Sequence, residues 1–285
     1  MSEAILNYVK RVKECVELVK DSEAATKQSL IGPLFTILGY DLTDPRECVP
    51  EYRAYFGPDR SVKPIDWAFL QNTKPIFLVE AKAVDKRLSN YDEQLADYYA
   101  KSPEAKLGIL TNGVQWRFFT DIVHSNVMDK EPFLIWDVIV DENPPFDFLT
   151  LLDKSQYSDK RFSAFLNIKA LRENLEKIKC NKDIYTPEDY RKEYRIIQRK
   201  LSHSITMQTL EGADPAVLKF LPSAESLTRV LHQLTSEKRV EAWARAIVLA
   251  DGKMPKWNQV NEAAREVAPD KVKPARKLRS STVTD

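Results

Sequence analysis

A chain of 285 residues has material for one large domain or two modest ones, and its 43 basic against 42 acidic side chains leave a net charge of +1. That balance neither advertises nor excludes a polyanion partner, so any nucleic-acid surface must come from a local patch. Three cysteines (Cys15, Cys48, Cys180) and three histidines (His124, His203, His232) lie scattered, without CxxC or metal-ligand spacing. Reduced thiols in a cytoplasmic protein are expected rather than disulfides or zinc, with no secretory leader and no membrane span.

In chain order, Ile5, Val9, Val12, Val16 and Val19 recur at helical spacing and predict an amphipathic first helix. A second helix follows the turn at Asp21-Ser22, with Leu30, Ile31, Leu34 and Leu38 as its apolar stripe and Gly39 as a left-handed stop. Glu23 and Lys27 share a face with Leu30 and Leu34. Spacing alone leaves Glu23 either a surface partner of Lys27 or an acid pointing toward a site. Residues 41–63, rich in Pro, Gly, Asp and Arg, predict a strand and an exposed turn at Gly57-Pro58-Asp59-Arg60. Glu51 in this stretch reads as a solvated charge or an additional site acid.

Residues 65–82, IDWAFLQNTKPIFLVEAK, read as two strands joined by a polar loop over QNTKP. Side chains two apart on a strand share a face, so Glu80 and Lys82 project together. Pairing Leu70 with Ile76 and counting back along an antiparallel ladder sets Asp66 opposite Glu80, where both carboxylates could hold one ion. A helix over 88–100 then places Gln94 and Tyr98 one turn apart. LGILTNG followed by VQWRFFTD forms a second hairpin about Asn112-Gly113, and FLIWDVIV adds a last strand near Val140.

Composition shifts at Asn143-Pro144-Pro145. Beyond it, Phe162, Phe165, Leu166 and Leu175 mark one helix. Thr186-Pro187 opens another, carried by Tyr190, Tyr194, Ile197 and Leu201 to Gly212. Leu227, Val230, Leu231 and Leu234 give a third, Val240, Trp243, Ile247 and Val248 a fourth, and a last runs from Pro255 toward Ala268 after an Asp251-Gly252 turn. Three segments are therefore expected: a mixed domain over 1–143, a helical domain over 144–270 that binds DNA or oligomerises, and a basic flexible tail over 271–285. Residues 271–279 of the tail hold five basic side chains and no acidic one, which reads as a solvated terminus or a phosphate-contacting arm.

Asp66, thirteen intervening residues and Glu80-Ala81-Lys82 resemble the PD-(D/E)xK motif of the restriction-endonuclease-like nuclease superfamily. The neighbours strengthen the likeness: Lys63-Pro64-Ile65 before the acid, Pro75 and an apolar strand into Glu80, and Gln94-Leu95-Ala96-Asp97-Tyr98, similar to a QxxxY element. LTNGVQWRFF and GPLFTILGY bring it nearest to the N-terminal nuclease domain of the type I restriction enzyme R subunit, over residues 23–138. The motif's proline is displaced by Ile65.

The resemblance implies an α/β fold, a restriction-endonuclease-like mixed sheet flanked by helices, followed here by an α-helical C-terminal region. It also implies Mg²⁺, with Mn²⁺ as a substitute, held by Asp66, Glu80 and the Ala81 carbonyl, and Glu23 matching the acid that many relatives carry on the first core helix. Lys82 would orient or activate the attacking water, and Gln94 would orient the lysine or touch the phosphate backbone. Tyr98 would pack beneath. The implied function is a metal-dependent DNA endonuclease, a hydrolase of phosphodiester bonds in restriction, phage or repair biology, with DNA and a homo-oligomer or protein partner. The related subunit continues into an ATP-driven motor, whose GxxxxGK[ST] loop does not occur in this sequence. The alternative is a nucleic-acid-binding or interaction protein that keeps the fold without cleaving.

Overall fold

The computed structural model describes residues 1–54, 63–213, 221–222 and 224–272. The expected turn at 57–60 and all of the basic tail beyond Val272 lie outside the described residues. Within these bounds the chain is an α/β protein whose C-terminal region is helical, and it divides into two compact units, Met1–Asp159 and Lys160–Asp285. Among the described residues no helix is long and apolar enough to cross a membrane.

The first unit is organised on a six-stranded mixed sheet in the order β1-β2-β3-β4-β5-β6, with β1 Cys48–Tyr52, β2 Ile65–Gln71, β3 Lys74–Ala81, β4 Leu107–Thr111, β5 Gln115–Phe119 and β6 Leu134–Asp137. All neighbours are antiparallel except β3 and β4, which run parallel because α4 (Asp92–Ala100) crosses over between them. Phe69, Phe77, Trp116 and Phe118 are buried in an aromatic layer with Phe35, whose ring stacks on Phe69 at a centroid distance of 4.2 Å. Ala68, Leu78 and Leu110 have the opposite parity and pack with Leu95, Tyr98 and Tyr99 of α4.

The first helix forms as the spacing predicts, α1 Ser2–Val19, with Ile5, Tyr8 and Val12 buried. The second is not one continuous α-helix. It runs as α2 (Glu23–Thr26), a π-helical turn over Lys27–Ile31, and α3 (Gly32–Ile37). Pro33 has no amide hydrogen and its ring crowds the carbonyl four residues back, so a regular α-turn cannot pass through it. The chain widens instead: Gly32 donates to the Lys27 carbonyl, five residues back, and Arg11 Nε takes up the Ser29 carbonyl at 3.3 Å. Gly39 ends the segment at a φ of +87°, as expected.

The expected β2–β3 hairpin is present with one change. Asn72 and Thr73, at φ 52° and 66°, form the turn by themselves, so Leu70 pairs with Pro75 rather than Ile76. An irregularity between Phe69 and Leu70 absorbs the slip, and Trp67↔Val79 then has the register counted from sequence. The last strand is shorter than FLIWDVIV, because the Asp137 carboxylate caps the amides of Ile139 and Val140 at 3.0 Å and turns the chain. The first unit also extends to Asp159, past the break expected after residue 143. Here α5 (Phe146–Leu152) packs back on the sheet: Phe148 meets Phe118 edge-on at 4.8 Å, and the Leu152 carbonyl accepts from Tyr40 Oη at 3.1 Å.

The second unit is helical: α6 Asp159–Cys180, α7 Pro187–Glu211, α8 Glu225–Leu231, α9 Ser236–Leu249 and α10 Trp257–Val267. Thr186 caps α7 by accepting from the Asp189 amide at 3.2 Å with Pro187 at the first turn, and Gly212 closes it. Leu210, Leu227, Leu231, Trp243, Ile247 and Val260 share one core. Val272, placed by sequence in the tail, is buried in that core.

Candidate functional site

The ends of β2 and β3 bring the motif residues together. One step beyond Trp67↔Val79 the ladder sets Asp66 beside Glu80, and Asp66 Oδ2 accepts from the Ala81 amide at 2.7 Å. On its other side Asp66 lies between the pairs Pro50↔Trp67 and Tyr52↔Ile65, which places Glu51 next to it in register. Three carboxylate-bearing positions therefore stand side by side across β1, β2 and β3. Like charges so placed repel unless a cation intervenes.

Two ammonium groups supply positive charge within the structure. Lys27 Nζ lies 2.5 Å from Asp66 Oδ1 and 3.2 Å from Glu23 Oε1, bridging α2 and β2. Lys82 Nζ bonds Glu80 Oε1 and the Ala81 carbonyl, the latter at 3.0 Å, and sits 5.1 Å from the Tyr91 ring centroid. Glu80 Oε2 accepts from Gln94 Nε2 at 3.2 Å. The same amide group reaches the Pro64 carbonyl at 3.1 Å, while Tyr98 Oη donates to the Lys63 carbonyl at 2.8 Å. Gln94 and Tyr98, one turn apart on α4, thus hold the entry to β2, and Gln94 also fixes the Glu80 carboxylate.

Glu80 is the most deeply placed of these acids, its side chain only 3% exposed. Burial pushes its carboxyl up to about 7; the Asp66 and Glu23 charges add to the rise, and the Lys82 ammonium pulls against it. For Lys27, burial works against the charge, but the bonds and charges of Asp66 and Glu23 outweigh it and hold the ammonium above its usual range. Among the described residues no three His, Cys, Asp or Glu side chains form a metal-holding group. The carboxylates face lysines in this arrangement.

The segment behind the site is held by the second hairpin. Lys82 N donates to the Thr111 carbonyl at 2.9 Å, and Asn112 Nδ2 donates to the carbonyls of Val84 and Lys86 at 3.1 and 3.2 Å. Gly113, at φ +80°, lets the turn pass close to the π-helical segment: a Cβ there would fall 2.7 Å from Leu30 Cβ. In front, a groove of about 950 Å³ opens beside Asp66, lined by Asn7 and Arg11 of α1, by Lys27 and Gln28, and by Glu51 and Trp67.

Asp66, Glu80, Ala81, Lys82 and Gln94 therefore form one connected cluster. Glu23 joins it through Lys27, so the surface ion pair and the link to the site are both realised. Glu51 lines the groove with a left-handed backbone at φ 47°. Lys27 is the site residue that sequence reading assigned to Glu23 alone; its reach across to Asp66 is a tertiary contact that no local spacing signals. No family model, curated protein or solved structure matches this chain.

Proposed function

We propose that this chain is a metal-dependent deoxyribonuclease of the PD-(D/E)xK kind, with a restriction-endonuclease-like first unit. The observation that carries this reading is the buried Glu80 carboxylate, set in register with Asp66 and bonded to both Lys82 and Gln94. A carboxylate so deeply buried is costly unless a cation or proton accompanies it. The donor set also fits Mg²⁺, a hard cation that takes oxygen ligands: the carboxylates of Asp66 and Glu80 and the Ala81 carbonyl, with Glu23 nearby. The sheet is mixed and flanked by helices, in keeping with that fold.

Mg²⁺ or Mn²⁺ bound there would acidify a ligated water and offset charge growing on the phosphoryl oxygens. The remaining roles belong to the chain. Lys82, tethered to Glu80 and the Ala81 carbonyl, would orient the attacking water and donate to a phosphate oxygen. Gln94 keeps the second Glu80 oxygen from turning away. Lys27 balances Asp66 and Glu23 when no metal is present.

A second reading, a nucleic-acid-binding or interaction protein that does not cleave, is favoured by one observation: Lys27 and Lys82 already satisfy Asp66 and Glu80. Cleavage of a panel of linear, circular, single-stranded and modified DNA with Mg²⁺ or Mn²⁺ separates the two. The nuclease reading expects cleavage by the wild type and a loss of at least about 10²-fold in Asp66→Ala and Lys82→Ala. Equal cleavage by wild type and variants would mark a contaminant, and DNA binding without cleavage under either metal would favour the second reading.

A further inference from the structure

The second unit carries its own concentration of charge on α7. Arg191, Arg195 and Arg199 recur at four-residue spacing and form one stripe. Arg195 and Arg199 line two adjoining depressions, one of about 570 Å³ shared with Arg191 and Lys192, the other of about 370 Å³ shared with Arg229 of α8. The position of Arg229 is set by its neighbours: His203 Nδ1 meets Thr228 Oγ1 at 3.0 Å, and Leu227 and Leu231 are buried in the core that includes Leu210 of α7.

Several cations elsewhere in this unit do have carboxylate partners, Lys160 with Glu211 at 2.9 Å, Lys169 with Glu173 at 3.0 Å and Arg245 with Glu266 at 2.6 Å. Among the described residues Arg191, Arg195, Arg199 and Arg229 have no carboxylate within ion-pair distance. Between Glu193 and Glu211 the sequence of α7 contains no acid at all. Glu188 and Glu225 are the carboxylates lining the two depressions, against four guanidinium groups and Lys192. Like charges one turn apart on a helix repel, so a bound anion would relieve a strain that the free stripe bears.

The guanidinium fork matches phosphate oxygens two at a time. From Arg191 to Arg199 the helix advances about 12 Å. Over that length one DNA strand presents roughly three phosphates. A single phosphate would leave part of the stripe unmatched, whereas a strand could meet all of it. We propose that Arg191, Arg195, Arg199 and Arg229 form a binding face for the phosphodiester backbone of a nucleic-acid strand. The face is independent of hydrolysis in the first unit.

The test is fluorescence anisotropy of the full chain with a labelled DNA oligonucleotide in EDTA, from about 50 to 200 mM salt. EDTA removes cleavage from the readout, so failure of one reading does not carry over to the other. The variant Arg195→Gln/Arg199→Gln/Arg229→Gln should bind at least about tenfold more weakly, with a salt slope reduced by about two to three. These side chains are exposed, and circular dichroism should show the variant folded. Lys177→Gln/Lys253→Gln, which removes two cations outside this face, should leave affinity and slope unchanged. Equal affinity and slope in the triple variant would overturn the proposal. So would competition by polyglutamate as effective as by unlabelled DNA, or full displacement of the strand by inorganic phosphate at equal charge concentration, which would indicate a small-anion pocket.

Discussion

Near the end of β3 each inward carboxylate has an ammonium beside it, Lys27 on Asp66 and Lys82 on Glu80, whereas on α7 and α8 the guanidiniums of Arg195, Arg199 and Arg229 have no carboxylate partner among the described residues. The difference separates two uses of charge. The first unit buries Glu80 and half-buries Asp66, and burial raises the cost of leaving a carboxylate uncompensated, so lysines stand in close contact. The second leaves its cations at the surface, where hydration keeps them inexpensive and accessible to an incoming anion. On the readings proposed above, the first arrangement suits a metal ion and the second a phosphate backbone.

The comparison can be broken at several points. The largest effect on stability is expected at Gly113. An alanine there meets Leu30 at 2.7 Å and must adopt a positive φ, so Gly113→Ala should cost about 2–4 kcal/mol. Hydrogen exchange should show the loss in β4 and β5 amides and not in α9 and α10. Uniform loss across both units would contradict a site supported by its own unit's packing.

The next concerns pH. Glu80 keeps its proton up to about 7 when folded and to its ordinary 4.5 when unfolded, so the folded state binds more protons between those values. Stability should therefore fall as pH rises from about 4.5 through about 7, by no more than roughly 3 kcal/mol from this group. Urea midpoints in metal-free buffer at low and high pH should show that Glu80→Gln lacks this share of the loss. Identical pH dependence in wild type and Glu80→Gln would mean that burial does not govern the carboxyl.

The smallest is at Lys27. Replacing its ammonium by a methionine side chain of similar length removes the cation that competes for Asp66 and Glu23, and Mn²⁺ affinity measured by calorimetry should rise about tenfold. Weaker binding in Lys27→Met would assign the lysine to supporting the carboxylate geometry instead.

Much of the first unit is legible in the sequence because alternation and turn chemistry are local. The strands of 65–82, the Asn112-Gly113 turn, and the pairing of Gln94 with Tyr98 all follow from spacing. The Asp66–Glu80 register follows too, although for a subtler reason: the two-residue turn and the irregularity at Phe69/Leu70 cancel before reaching the site. The π-helical turn was less accessible, since the apolar stripe of 30–38 looks regular and only Pro33 hints at the break. Lys27 on Asp66 and Arg229 beside Arg199 required tertiary placement. The spacing of Arg191, Arg195 and Arg199 was visible in the sequence, but its lack of carboxylate partners was not. The boundary at Asp159 depended on Phe148 and Leu152 finding partners in the sheet and at Tyr40.

The most direct measurement is calorimetric titration of Mn²⁺ into the wild type, Asp66→Ala, Glu80→Gln and the triple arginine variant. A metal site at β2 and β3 predicts binding in the wild type and the arginine variant and its loss in the two acid variants. Equal Mn²⁺ binding in all four, or none in the wild type, would contradict it.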